Sequence, residues 1–96
     1  MLTWVVYDIS NDRTRTKIAN RCLDYGLYRV QKSVFLGDIA LNRIEEIILF
    51  SRELMNLETD SVYLFPMCQE DFDKVRIVGQ GFDRTLVADE ILTKVV

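Results

Sequence analysis

The sequence predicts an α+β sandwich, an antiparallel sheet with two helices on one face, and three observations carry that prediction. Apolar runs of strand length alternate with amphipathic stretches of helix length, in the order strand, helix, strand, helix, strand, strand. The first run, Leu2-Thr3-Trp4-Val5-Val6-Tyr7, is apolar on both sides and so belongs in the middle of a sheet. Each amphipathic stretch carries a single apolar stripe, as a helix lying on one side of a sheet requires.

Residues 2–9 read as the first strand, which delivers Asp8 to a loop at the sheet edge, where a rigid scaffold can hold a reactive group. Ser10-Asn11-Asp12 offers three helix-capping candidates, and the helix they open runs to about Tyr25, with Gly26 as its stop. Ile18, Ala19, Cys22, Leu23 and Tyr25 form its apolar stripe, leaving Arg13, Lys17, Asn20 and Arg21 towards solvent. Arg13 stands at the positive end of the helix, a local conflict which hints that Arg13 and Arg15 serve something anionic. Residues 28–36 alternate with period two and show no turn chemistry, so they read as one strand kinked near Gln31–Ser33. Tyr28, Val30, Lys32, Val34 and Leu36 form its core-like face; Arg29, Gln31, Ser33 and Phe35 form the other.

After Gly37-Asp38, a second helix is expected over Leu41–Met55, with Leu41, Ile44, Ile47, Ile48, Ser51, Leu54 and Met55 inward. Ser61–Met67 is a strand whose Pro66 places its end at an edge. Gln69–Asp73 reads as an acidic helical turn, Lys74–Val78 as another strand closed by Gly79-Gln80-Gly81, and Thr85–Ala88 as a further short strand before an apolar segment, Ile91–Val96. A ferredoxin-like fold matches this order best, with its first strand central and its helices sharing one side. The other sheet face then has no cover from the chain. Trp4, Val6 and Phe35 lie on it or near its edge, and a symmetric homodimer is the simplest way to cover such a patch.

The 96 residues make a single domain, with a core over about 1–80 and a tail, 81–96, free to pack on a partner. A hydrophobic content of 49% with 28% charged residues excludes disorder. No run approaches the ~18 apolar residues of a membrane helix, and neither a basic leader nor a cleavage site marks a signal peptide. Cys22 and Cys68 stand apart, without CxxC spacing, as expected of small hydrophobes in a reducing cytoplasm. The chain has no histidine, which excludes Ser-His-Asp and Cys-His nucleophiles, HExxH zinc sites and any imidazole base. A base at neutral pH must then be metal-bound water, a carboxylate or a tyrosine, and an oxygen-lined metal site favours Mg²⁺ or Mn²⁺ over Zn²⁺. Charge is unevenly spread. Residues 1–32 hold six bases (Arg13, Arg15, Lys17, Arg21, Arg29, Lys32) against three acids (Asp8, Asp12, Asp24), while residues 33–96 hold six bases against twelve acids. A basic lobe on an acidic chain can bind a polyanion on one face, although a basic surface helix can also be merely solvated.

Tyr7-Asp8-Ile9, Arg15 and Lys17, Tyr25-Gly26 and Arg29-Val30-Gln31-Lys32-Ser33-Val34-Phe35, in that order, resemble the signature of the small CRISPR-associated endoribonucleases. That family is the second of the two core proteins of spacer acquisition. The motifs lie within residues 4–37, and the likeness in length and element order covers nearly the whole chain. No stretch matches the RNA-recognition-motif pattern, the other ferredoxin-like option.

The resemblance implies a ferredoxin-like homodimer whose C-terminal segments extend the sheet into the partner. It also implies association with the CRISPR integrase, the dimer bridging integrase dimers and contacting duplex DNA. Members are described as Mg²⁺- or Mn²⁺-dependent nucleases on single-stranded RNA or duplex DNA, using the aspartate after the first strand, here Asp8; in others the protein acts as a scaffold. One carboxylate binds Mg²⁺ poorly, so a two-fold axis beside Asp8 is expected to bring two copies onto one hydrated ion. Arg15 and Arg29 are expected to clamp the scissile phosphate, against plainer roles as a surface charge and a cross-strand partner. Ser33 is expected to bond a phosphate or the metal's water, or else to face the dimer interface. Tyr7, in the core or interface, and Phe35 are expected to pack between protomers. Arg13, Lys17 and Arg21, with Arg15, form a candidate backbone track with salt-sensitive binding. A non-catalytic scaffold and a toxin-like ribonuclease of the same fold are the alternative functions.

Overall fold

The structure, a computed structural model, describes residues 1–79. The strand expected over 85–88 and the tail 81–96 lie outside the described residues. The elements are β1 (Leu2–Asp8), α1 (Asp12–Asp24), β2 (Tyr28–Gln31), β3 (Val34–Asp38), α2 (Leu41–Leu54), β4 (Ser61–Met67) and α3 (Gln69–Asp73). The strands form one sheet in the order β2-β3-β1-β4, every adjacent pair antiparallel, with β1 inside and β4 at an edge. This is the ferredoxin-like arrangement.

Local chemistry fixes the ends of α1. The Asn11 side chain accepts the Thr14 amide at 2.9 Å as N-cap. At the other end Gly26 takes a positive φ of 86°, while the Leu27 amide reaches back to Cys22 and the Gly26 amide to Leu23. That stop turns Leu27 onto β3. A Cβ on Gly37 would sit 2.8 Å from the Leu27 side chain and 3.0 Å from its Cα, so the strand passes too close for any side chain.

The expected single kinked strand over 28–36 is instead a hairpin, with Lys32-Ser33 as a two-residue turn between β2 and β3. Tyr28 pairs with Leu36 and Arg29 with Phe35, but Gln31 pairs with Val34, so the register shifts between Arg29 and Gln31. A two-residue turn normally reverses which parity of residue faces which side. The bulge at Val30 restores it, so even-numbered residues face one side in both strands and the sequence reads as one unbroken alternation.

Trp4 and Val6 lie on the open face as expected, but the faces of β2 and β3 are the reverse of expectation. Val5, Tyr7 and Phe35 lie under the helices with Ile18, Ala19 and Cys22 of α1 and Ile44 and Ile47 of α2. Leu36, Tyr28 and Val30 face the other side, around Leu2 and Phe72. Phe35 is therefore not on the open face. That face is not bare either, because Phe72 of α3 covers one end of it, its ring 6.2 Å from Trp4. Both sides of β1 and β3 are apolar, so counting apolar residues could not say which side the helices take. On the helices, Leu23 and Leu41 point outward instead of along the stripe or inward, Leu41 keeping 62% of its surface exposed.

Residues 75–78 join no sheet, contrary to the strand expected there. The Val75 amide bonds back to the Phe72 carbonyl and the Val75 side chain packs on the Phe72 cluster, so the chain leaves α3 across the open face.

Candidate nucleic-acid-processing site

β1 ends at Asp8, which pairs with Ser61 across β4. One bond continues the β1–β3 ladder beyond the assigned pairs: the Tyr7 amide donates to the Ser33 carbonyl at 3.1 Å. It holds the tip of the β2–β3 hairpin beside Asp8. A hollow of about 270 Å³ results, lined by Tyr7, Asp8, Ile9, Arg15, Arg29, Lys32 and Ser33. The residues expected to act together, Asp8, Arg15, Arg29 and Ser33, thus share one site.

Their roles within it differ. The Asp8 carboxylate is exposed, and among the described residues no side-chain hydrogen bond or ion pair engages it. Arg15 Nη1 donates to the Ile9 carbonyl at 2.9 Å, and its Nη2 pairs with Asp12. Arg29 Nε and Nη2 both donate to the Lys32 carbonyl, at 3.1 and 2.7 Å. Tyr7 Oη donates to the same carbonyl at 3.4 Å and lies 3.5 Å from Arg29 Nη2. The two arginines therefore brace the loops on either side of Asp8, and among the described residues Arg29 keeps only its Nη1 donors uncommitted.

Tyr7 and Phe35 are corrected as interface residues. Both side chains are buried within the chain, their rings stacked at 6.1 Å under the helices. Burial raises the Tyr7 phenol above its usual range, partly offset by Arg29, so Tyr7 stays protonated and serves as a donor. Arg21 leaves the expected track. Its guanidinium stacks 3.9 Å from the Phe50 ring centre and donates to Tyr25 Oη at 3.3 Å, joining α1 to α2. Arg13 and Lys17 remain exposed beside Asp12 and Thr16 on the outer surface of α1, outside the Asp8 hollow. Lys32 was not singled out in the sequence. Its position in the turn next to Ser33 puts it in the hollow, and the signal was the hidden hairpin.

The donor set bears on a metal. Among the described residues no group of three or more acidic, cysteine or histidine side chains could hold an ion. Asp8 is, among the described residues, the one carboxylate lining the hollow, a donor type suited to a hard, hydrated cation such as Mg²⁺ or Mn²⁺ but weak on its own. Among the described residues no helix is long and apolar enough to cross a membrane.

Comparison with known proteins gives a consistent result. Residues 1–75 match the family described as CRISPR associated protein Cas2. The chain is 41% identical over 71 residues to a CRISPR-associated endoribonuclease Cas2 of Desulforudis audaxviator, covering 74% of this chain and 67% of that one. It is 40% identical over 81 residues to a CRISPR-associated endoribonuclease Cas2 of Chloroflexus aurantiacus, covering 82% of this chain and 93% of that one. Among solved structures, Streptococcus pyogenes Cas2 superposes with a TM-score of 0.69 at 25% identity, over 82% of this chain and 100% of that one. A hypothetical protein of Thermus thermophilus superposes with a TM-score of 0.68 at 34% identity, over 83% of this chain and 92% of that one.

Proposed function

Because the chain belongs to the Cas2 family of CRISPR-associated proteins, we propose that it is an endonuclease of spacer acquisition that hydrolyses phosphodiesters with Mg²⁺ or Mn²⁺ held at Asp8. The observation that carries this reading is the contrast inside the hollow: among the described residues Asp8 is left without a side-chain partner while Arg15 and Arg29 are tied to backbone carbonyls. The names of the similar endoribonucleases support the same chemistry. A bound divalent ion supplies a water of lowered pKa and a positive charge for the phosphate. The chain's own residues do the rest. Asp8 presents its carboxylate from the end of a rigid strand. Arg15 fixes the loop that follows it, and Arg29 with Tyr7 fixes the hairpin turn that lies beside it. Lys32 and Ser33 offer an ammonium and a hydroxyl to a phosphate entering the hollow.

One carboxylate per chain is few for a metal, and this supports a homodimer that brings two copies of Asp8 together. The exposed apolar face of β1 and β4 supports a dimer as well, as does the edge of β4, which among the described residues pairs only with β1. Arg13 and Lys17 contact the backbone of duplex DNA or single-stranded RNA, and the CRISPR integrase is the protein partner. The cytoplasm is the compartment.

The test is cleavage of single-stranded RNA and duplex DNA by purified protein with Mg²⁺ or Mn²⁺. Asp8→Asn should lower the rate by about two orders of magnitude or more while the dimer persists. Equal rates for wild type and Asp8→Asn would sink the nuclease reading. The small donor set favours a second reading, a dimeric scaffold that positions DNA and integrase without cutting. It predicts co-purification with the integrase and undiminished spacer acquisition by Asp8→Asn.

A further inference from the structure

We propose that Asp60, on the turn between α2 and β4, is a positioning residue that holds the Asp8 loop in its metal-binding shape. This rests on the reading of Asp8 as a metal ligand. The loop joining β1 to α1 consists of Ile9, Ser10 and Asn11, and each is fixed by a different contact. Ile9 is buried and its carbonyl accepts from Arg15. Asn11 caps α1. Ser10, between them, is exposed, and among the described residues Asp60 is the partner of both its donors: Oδ1 accepts the Ser10 amide and the Ser10 hydroxyl, each at 3.3 Å.

Asp60 is itself held firmly. Its Oδ2 accepts the Asn56 amide at 3.0 Å, and its own amide donates to the Asn56 carbonyl at 2.8 Å. The Thr59 amide reaches the same carbonyl at 3.2 Å, and the Asn56 side chain accepts the Glu58 amide at 3.0 Å. The turn is thus closed on its own backbone, and Asp60 Oδ1, which also accepts the Thr59 hydroxyl at 3.4 Å, faces the neighbouring loop. The next residue, Ser61, pairs with Asp8 in the sheet. Asp8 is therefore braced twice from the β4 side, through its own strand pairing and through Ser10 two residues on. A carboxylate that must meet its copy across a two-fold axis needs such bracing, because metal ligation tolerates little displacement.

The test uses the full chain and two readouts independent of turnover: amide hydrogen exchange, and Mn²⁺ titration followed by paramagnetic broadening of the loop amides. In Asp60→Ala, exchange of the Ser10 amide should quicken by about tenfold, while Val5 in the centre of the sheet is unchanged. The half-saturating Mn²⁺ concentration should rise about three- to tenfold, with Asp60→Asn in between. If Asp60→Ala does not fold, Ser10→Ala leaves the α2–β4 turn intact and should shift Mn²⁺ binding in the same direction by about two- to threefold. Unchanged Ser10 exchange or unchanged Mn²⁺ binding in the variants overturns the proposal and leaves the nuclease reading standing. Mn²⁺ binding that depends on Asp60 in a wild-type protein that cleaves nothing overturns the nuclease reading alone. A wild-type protein that binds no Mn²⁺ overturns both.

Discussion

On the helix-covered face of the sheet, Val5, Tyr7 and Phe35 are sealed beneath α1 and α2. On the opposite face, Tyr63 and Phe65 of β4 leave 55% and 49% of their surface in water, their rings stacked 6.1 Å apart. The central strands β1 and β3 are apolar on both sides, so the difference comes from what covers them. Two full helices complete the first face. Among the described residues, a helix of five residues contributing Phe72, with Val75 after it, reaches only one end of the second. A face finished by its own chain should respond to mutation as a core does, and an unfinished one as an interface does.

The largest effect separating the two is expected from aromatic truncation. Phe35→Ala empties a fully buried position and should cost about 3–5 kcal/mol in urea unfolding. Gly37→Ala tests the same face through its tightest approach. The added methyl must displace Leu27 against a fixed backbone, at about 1–3 kcal/mol. Phe65→Ala, on the open face, should change the stability of the isolated chain by less than about 1 kcal/mol while weakening self-association in sedimentation. Equal losses for Phe35→Ala and Phe65→Ala would erase the distinction. The smallest effect is read on the cysteines. Burial pushes the Cys22 thiol up to about 12, whereas Cys68 is exposed. At pH 8 a thiol reagent should modify Cys68 at once and Cys22 only on unfolding. Because the folded state holds the Cys22 proton more tightly, that contribution to stability is intact below the thiol's ordinary value of 9.0 and is lost as pH rises through about 12. A melt that does not weaken over that range would show that Cys22 is less enclosed than its neighbours imply.

Much of this was legible in the residues. The Asn11 cap, the Gly26 stop, the bounds of β4 and the short acidic helix follow from local chemistry that tertiary packing does not override. The hairpin was not legible, because Lys32-Ser33 has none of the glycine or asparagine that marks a two-residue turn, and the bulge at Val30 kept the alternation unbroken. The omission of Lys32 follows from it, whereas the misplacement of Phe35 follows from β1 and β3 being apolar on both sides. At the site, the grouping of Asp8, Arg15, Arg29 and Ser33 was readable from their order. The commitment of both arginines to carbonyl oxygens, and the tie from Asp60 to Ser10, was not, since it depends on backbone atoms that a side-chain pattern does not reveal.

The position of β1 in the sheet also sets an order of events during synthesis. Its partners are distant in sequence: Leu2 pairs with Asp38 on one side and with Met67 on the other, and Asp8 with Ser61. The β2–β3 hairpin can close as soon as it leaves the ribosome and can then take up residues 2–6 of the central strand, but the other edge of that strand, including Asp8, has its partner only once residues 61–67 have emerged. Asp8, among the first residues made, is thus among the last to reach its final place.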